Sequence, residues 1–226
     1  MLRLLIMCLV AAGLSVGTAG NGQASDEFAD ATFEPLQISI AAKWRLIQAQ
    51  MNSDAARLVV CRADSEACGI EDRRLVDIVD AARARDGLAR IGAINRSVNL
   101  GIRPVSDLQR FGLRDHWSAP LETLRAGVGD CEDYALLKFL ALREVGFSED
   151  DVQFLIVRDS ALQTDHAVVT VRHEDRWVVL DNRTLVLGDL QSTLLIKRYR
   201  VLAQLGRDID TPAYAGVALP APARIK

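Results

Sequence analysis

The chain predicts an α+β fold: helices first, a central helix opened by a cysteine, and an antiparallel sheet that follows it. Three observations predict this. Apolar residues recur at helical spacing over residues 41–51 and 70–97. Residues 131–145 form a third helical run, with Ala135, Leu136, Phe139, Leu140 and Leu142 as its buried face. Beyond Gly146 the period drops to that of strands, in residues 152–158, 167–172 and 177–180, which are rich in Val, Ile, Phe and Trp. Helices followed by strands point away from a repeated βαβ plan. The 226 residues are 50% hydrophobic, ample for a core, and a net charge of −3 lacks the basic surplus of a nucleic-acid-binding domain.

The first segment reads as an address. Met1-Leu2-Arg3 places a positive charge ahead of an almost unbroken apolar run from Leu4 to Val16, followed by small residues with possible cleavage sites at Gly17–Ala19 and Gln23–Ala24. This is the layout of a secretory signal peptide over residues 1–24, and the run is short for a stable span. The expectation is an exported, periplasmic chain with no stable membrane span in its mature form. Cys8 leaves with the signal, so Cys61, Cys68 and Cys131 remain, an odd number in an oxidising compartment. Cys61 and Cys68 flank a polar stretch and either close a small disulfide loop or stand as two thiols on a helical hairpin. Either way Cys131 has no evident partner.

Residues 25–104 are expected to form an N-terminal helical lobe, with residues 25–40 irregular, Trp44 and Ile47 on one face of a first helix, and Gly87 and Gly92 bending or interrupting the second. Pro104 stops that pattern. Residues 105–207 are expected to form the core that carries the chemistry. In it, 105–114 is a short connector, 117–129 a polar approach to the central helix, and 184–187 and 196–202 are further strand candidates. Residues 208–226 read as a loose tail rich in Pro and Ala.

The chemistry concentrates in Gly129-Asp130-Cys131-Glu132-Asp133-Tyr134. A cysteine at a helix N-terminus meets unpaired backbone N–H groups and the positive end of the dipole, both of which favour a thiolate. The blander reading makes Asp130 an N-cap, Glu132 and Asp133 dipole-favoured acids of the first turn, and Cys131 a small core residue. A second feature shifts the balance. His166 opens one strand and Asp181 closes the next. A hairpin turn centred between His173 and Glu174 places them directly opposite each other on one face of the sheet, where Cβ atoms lie about 4.5–5.5 Å apart. A carboxylate beside an imidazole fixes its tautomer and stabilises its cation. Cys131 would then be the nucleophile, His166 the general base and acid, and Asp181 the residue that orients His166. His116 and His173 are the competing bases; His173 falls in the predicted turn among charged residues.

Four segments carry a family resemblance: Trp117-Ser118-Ala119-Pro120-Leu121-Glu122, GDCEDYALLKFLALREVGF from Gly129, Asp165-His166-Ala167-Val168, and Trp177-Val178-Val179-Leu180-Asp181-Asn182. With these, the chain resembles the bacterial transglutaminase-like cysteine proteinases of the LapG type, over roughly residues 111–182. The resemblance implies a papain/transglutaminase-like core and a triad of Cys131, His166 and Asp181. It implies cleavage of a large surface adhesin near its N-terminus at an Ala-Ala-type site, which releases the adhesin and disperses biofilm. It also implies a calcium requirement and sequestration by the periplasmic domain of an inner-membrane receptor for cyclic di-GMP. The calcium ligands carried over are Asp130, Glu132 and Asp133, all oxygen donors suited to a hard cation, with Asp150 and Val152 as expected further ligands. Trp117 either lines the cleft or packs under the helix, and packing is favoured. Acyl transfer from glutamine to an amine by the same triad, and a non-catalytic module that binds calcium and a receptor, are the alternatives.

Overall fold

The structure, a computed structural model, describes residues 33–206, with side chains from residue 40 onward. The expected signal peptide and the tail from 208 lie outside the described residues. The chain divides into two compact units, Met1–Leu36 and Gln37–Lys226. Of the first, only the opening turn of a helix is described.

That helix, α1, spans Phe33–Ala63, so residues 33–40 are helical where an irregular segment was expected. Pro35 is compatible with this because first-turn N–H groups have no partner within a helix. Cys61, in the last turn of α1, is disulfide-bonded to Cys68 beyond a short 3-10 turn. The long helical stretch that follows is two helices, α2 (Ile70–Arg83) and α3 (Gly87–Gly101). They break at Gly87, whose φ of +53° is costly for any residue with a Cβ. Strand β1 (Arg103–Pro104) pairs in parallel with β2 (Val128–Gly129). Between them lie two short helices, α4 (Asp107–Phe111) and α5 (Pro120–Ala126), in segments expected to be irregular. Each has a sequence rationale. Ser106 caps α4 by accepting from the Gln109 N–H, and Pro120 occupies the first position of α5, where a missing N–H costs nothing.

Helix α6 (Cys131–Glu144) is the centre of the molecule. Every residue from Asp133 to Leu142 is buried. The expectation of a single buried face is thus too narrow. The helix is enclosed, with α2, α3 and α5 on one side and the sheet on the other, and a helix covered all round is apolar all round. Trp44 of α1 is fully buried against this assembly, edge-on to Phe139 at 5.3 Å and tilted on Phe154 at 5.5 Å. Its indole N–H donates to the Gly206 carbonyl at 3.2 Å. The same hydrophobic cluster runs from Trp44 and Val79 through Leu136 to Val169, so no break between two cores falls at the expected boundary after residue 104.

The sheet has five strands in the order β6-β5-β4-β3-β7. They are β3 (Val152–Asp159), β4 (Thr164–His173), β5 (Arg176–Leu180), β6 (Gly188–Asp189) and β7 (Tyr199–Leu205), with helix α7 (Leu190–Leu195) before β7. Odd-numbered β4 residues Ala167, Val169 and Val171 join the α6 side of the core, and Val168 joins a second cluster with Leu155, Val157, Val179 and Tyr199. Residues 184–187 are not a strand. The Thr184 carbonyl accepts from the amides of Asn95 and Asn99 on α3, so its backbone is satisfied by side chains and not by a neighbouring strand.

The β4–β5 hairpin differs from expectation by one residue in its turn. Val169 pairs with Leu180 and His173 with Arg176, which leaves Glu174 and Asp175 as the loop. Both have positive φ, +47° and +61°, the conformation that suits the twist of a two-residue hairpin. Moving the centre by one residue moves every partner by two. His166 and Asp181 become diagonal rather than direct neighbours, and because the shift is even they keep a common face.

Candidate functional site

His166 and Asp181 meet in spite of the diagonal register. His166 Nε2 lies 2.9 Å from Asp181 Oδ1, and both side chains are buried. Asp181 accepts two further bonds, from the Arg183 N–H to Oδ1 at 2.9 Å and from the Tyr199 hydroxyl to Oδ2 at 2.6 Å. Burial alone would raise the Asp181 pKa. The His166 ring, the Tyr199 hydroxyl and the Arg183 N–H outweigh it and hold the carboxyl well below the ordinary range. The loop carrying Asp181 is pinned to α3, whose Asn99 amide donates to the Asp181 carbonyl at 2.8 Å. With Nε2 engaged, Nδ1 of His166 is buried without a hydrogen-bond partner. It is the ring nitrogen left to exchange a proton.

Cys131 opens α6 and is half-buried. The backbone N–H of Ala167, next to His166 in β4, bears on its sulfur, which brings the thiol to the strand that carries the imidazole. The Sγ itself lies 2.9 Å from Glu132 Oε2. Burial, followed by the Glu132 carboxylate, pushes the thiol pKa up, against the small lowering from the Ala167 N–H. The helix N-terminus therefore does not by itself produce the thiolate the sequence suggests. Its burial, and after it the negative charges placed around it, push the other way.

Those charges form a group of their own. Asp107, Asp130 and Asp133 bring carboxylate oxygens within 4.8 Å of one another. The paired β1 and β2 bring them together: the Val105 N–H donates to the Gly129 carbonyl at 2.9 Å, which draws the start of α4 to the start of α6. Gly129 is required here, because a Cβ at this position would come within 2.7 Å of Asp133 Cβ and Oδ2. Burial pushes Asp130 up to about 9, helped by Glu132, and Asp133 up to about 7; Asp107 is raised by burial as well. Oδ1 of Asp130 and Oδ2 of Asp133 are buried with no hydrogen-bond partner. Arg110 Nη1 lies 3.6 Å from Asp133 and compensates one charge. Two buried carboxylates and a half-buried one, two of them with an orphaned oxygen, and a glycine that admits one of them suit a hard, oxygen-seeking cation.

Of the expected metal ligands, Asp130 and Asp133 belong to this group and Glu132 lies between it and the sulfur. Asp150 and Val152 do not join it, and the expectation for these two is corrected. They lie past the opposite end of α6, and 14 helical residues span about 21 Å. Asp107 is the third member of the group. Nothing in its spacing from Asp130 marks it, since it depends on the β1–β2 pairing. Of the competing bases, His116 stacks on Phe111 at 4.2 Å, and its backbone N–H donates to Asp107. His173 ends β4 at the turn. Trp117 packs on Phe154 at 5.1 Å, so it belongs to the core.

Among solved structures, this fold is similar to that of LapG from Legionella pneumophila, at a TM-score of 0.54 and 18% identity, covering 69% of this chain and 84% of that one. The calcium-bound form of the same protein gives 0.53 at 18% identity, covering 67% and 83%. The EGTA-treated form gives 0.53 at 18% identity, covering 67% and 81%. No curated protein matches the sequence. Residues 48–200 match the family described as bacterial transglutaminase-like cysteine proteinase. With that match covering most of its length, this chain belongs to the bacterial transglutaminase-like cysteine proteinases and is a cysteine protease.

Proposed function

We propose that this protein is a calcium-dependent periplasmic cysteine endopeptidase that cleaves the N-terminal region of a large surface adhesin at an Ala-Ala-type site and so promotes biofilm dispersal. The observation that carries the catalytic reading is the buried His166–Asp181 bond with Nδ1 left unpaired, on the strand whose Ala167 N–H bears on the Cys131 sulfur. Cys131 gives its proton to His166 Nδ1 and attacks the scissile carbonyl, forming an acyl-enzyme. His166 then protonates the leaving amine, and takes a proton from the water that hydrolyses the thioester. Asp181 keeps the ring in the tautomer that presents Nδ1 and stabilises its cation.

Asp107, Asp130 and Asp133 would hold the calcium ion, with Glu132 beside them. When bound, the ion supplies positive charge that compensates the carboxylates around the thiol. A calcium-bound LapG among the similar structures supports the choice of ion. The Cys61–Cys68 disulfide supports an oxidising compartment. Among the described residues, no helix is long and apolar enough to cross a membrane. The adhesin substrate and the partner, an inner-membrane cyclic di-GMP receptor, rest on the family resemblance alone. The test is cleavage of the N-terminal segment of a candidate adhesin by wild type, by Cys131→Ala, and by wild type in EGTA. Cleavage by wild type only is expected. Cleavage by Cys131→Ala would overturn the nucleophile, and undiminished cleavage in EGTA would overturn the ion.

A further inference from the structure

A buried polar side chain outside the Cys-His-Asp set bonds Asp181. Tyr199 opens the edge strand β7, is 3% exposed, and donates its hydroxyl to Asp181 Oδ2 at 2.6 Å; its ring centre is 6.0 Å from that of His166. Oδ1 is shared by the His166 ring and the Arg183 N–H, whereas the Tyr199 hydroxyl is the hydrogen-bond donor that the described residues offer to Oδ2. Without it that oxygen is buried and unsatisfied, and the carboxylate is free to rotate off the imidazole.

We propose that Tyr199 is a positioning residue that holds Asp181 as a fixed anion behind His166 by its hydrogen bond. The proposal rests on the triad reading given above. In each turnover the imidazole becomes a cation against Asp181, so the orientation and the ionisation of that carboxylate both bear on the chemical step. Binding of the substrate does not involve them.

The test uses the full chain with calcium, as Tyr199→Phe and Asp181→Asn, and as Val201→Ala for a control in the cluster that contains Tyr199. The readouts are kcat and KM on a fluorogenic peptide containing Ala-Ala, thermal stability, and the low-field proton resonance of the His166 ring N–H bonded to Asp181. Tyr199→Phe is expected to lower kcat about tenfold with KM unchanged, the scale of one hydrogen bond to a charged group, and to shift or broaden the His166 resonance. Val201→Ala loses stability and keeps both kcat and the resonance. Wild-type kcat in Tyr199→Phe would overturn the proposal, as would a loss of kcat in Val201→Ala as large as that of Tyr199→Phe. Full activity in Asp181→Asn would instead overturn the triad reading itself.

Discussion

Asp133 at the start of α6 and Asp181 just after β5 are buried to a similar degree and behave in opposite ways. Asp130 and Asp133 crowd together with Asp107 and keep orphaned oxygens, and burial raises their pKa. Asp181 is met on both oxygens by donors, and its pKa falls. Burial alone does not set the chemistry of a carboxylate; the partners it is buried with do. The first is a group of acids that could hold a cation. The second is a carboxylate bonded to an imidazole. On the function proposed above, one flanks the nucleophile and the other orients its base.

The sharpest way to break this contrast is at Asp181. Asp181→Asn is expected to lower kcat by about 10³- to 10⁴-fold, because the amide no longer fixes the tautomer that leaves Nδ1 unprotonated. Steady-state kinetics on a cleaved peptide check this, and a loss below tenfold would mean that Asp181 does not orient the base. At the cation group, Asp130→Asn is expected to abolish calcium stabilisation. Wild type should gain about 2.7 kcal/mol at a calcium concentration one hundred times Kd. Urea unfolding in calcium and in EGTA measures both proteins, and an equal gain in the two would remove Asp130 from the ligand set. A smaller effect is expected from Asn99→Ala, which removes the amide that holds the Asp181 and Thr184 carbonyls. The loss is about 1–2 kcal/mol of stability with a several-fold fall in kcat, read by urea unfolding and kinetics on one preparation; no change in either would show that the loop holds itself.

A last effect concerns Lys138 and pH, and it is read on stability and not on activity. Burial depresses its pKa to about 7 in the folded chain, partly opposed by Asp181, while an unfolded lysine ionises near 10.4, a value of about ordinary size. Between these values the unfolded chain binds the extra proton, so stability rises as pH climbs from about 7 to about 10 and is lost as pH falls back through the folded value. The wild-type curve minus that of Lys138→Met isolates this slope; a flat difference would mean that the ammonium is paired or solvated.

Much of the site was legible before folding because its parts are local. Cys131 heads a run whose spacing is helical, and Gly129 and Asp130 precede it in the chain. His166 and Asp181 have matching strand parity, and parity survives an even slip in register. The hairpin turn was misplaced by one residue because Glu174 and Asp175 carry no glycine to announce their positive φ. The short helices α4 and α5 hide in polar sequence, and α6 reads as one-sided because its second wall comes from distant helices. Asp107 was not legible at all, since no period links it to Asp130.

By itself the sequence determined the central helix and the three central strands, where that helix begins, the order of the cysteine, histidine and aspartate, and the common face of the last two. These follow from backbone periodicity and cap chemistry, which act over a few residues. Only the tertiary structure decided that Asp107 and not Asp150 or Val152 joins the acids, that Tyr199 reaches Asp181, and that burial and the neighbouring acids push the Cys131 thiol pKa up. Those outcomes depend on which distant side chains become neighbours in a medium of low polarity, where electrostatic energies are large and a single missing partner reverses their sign.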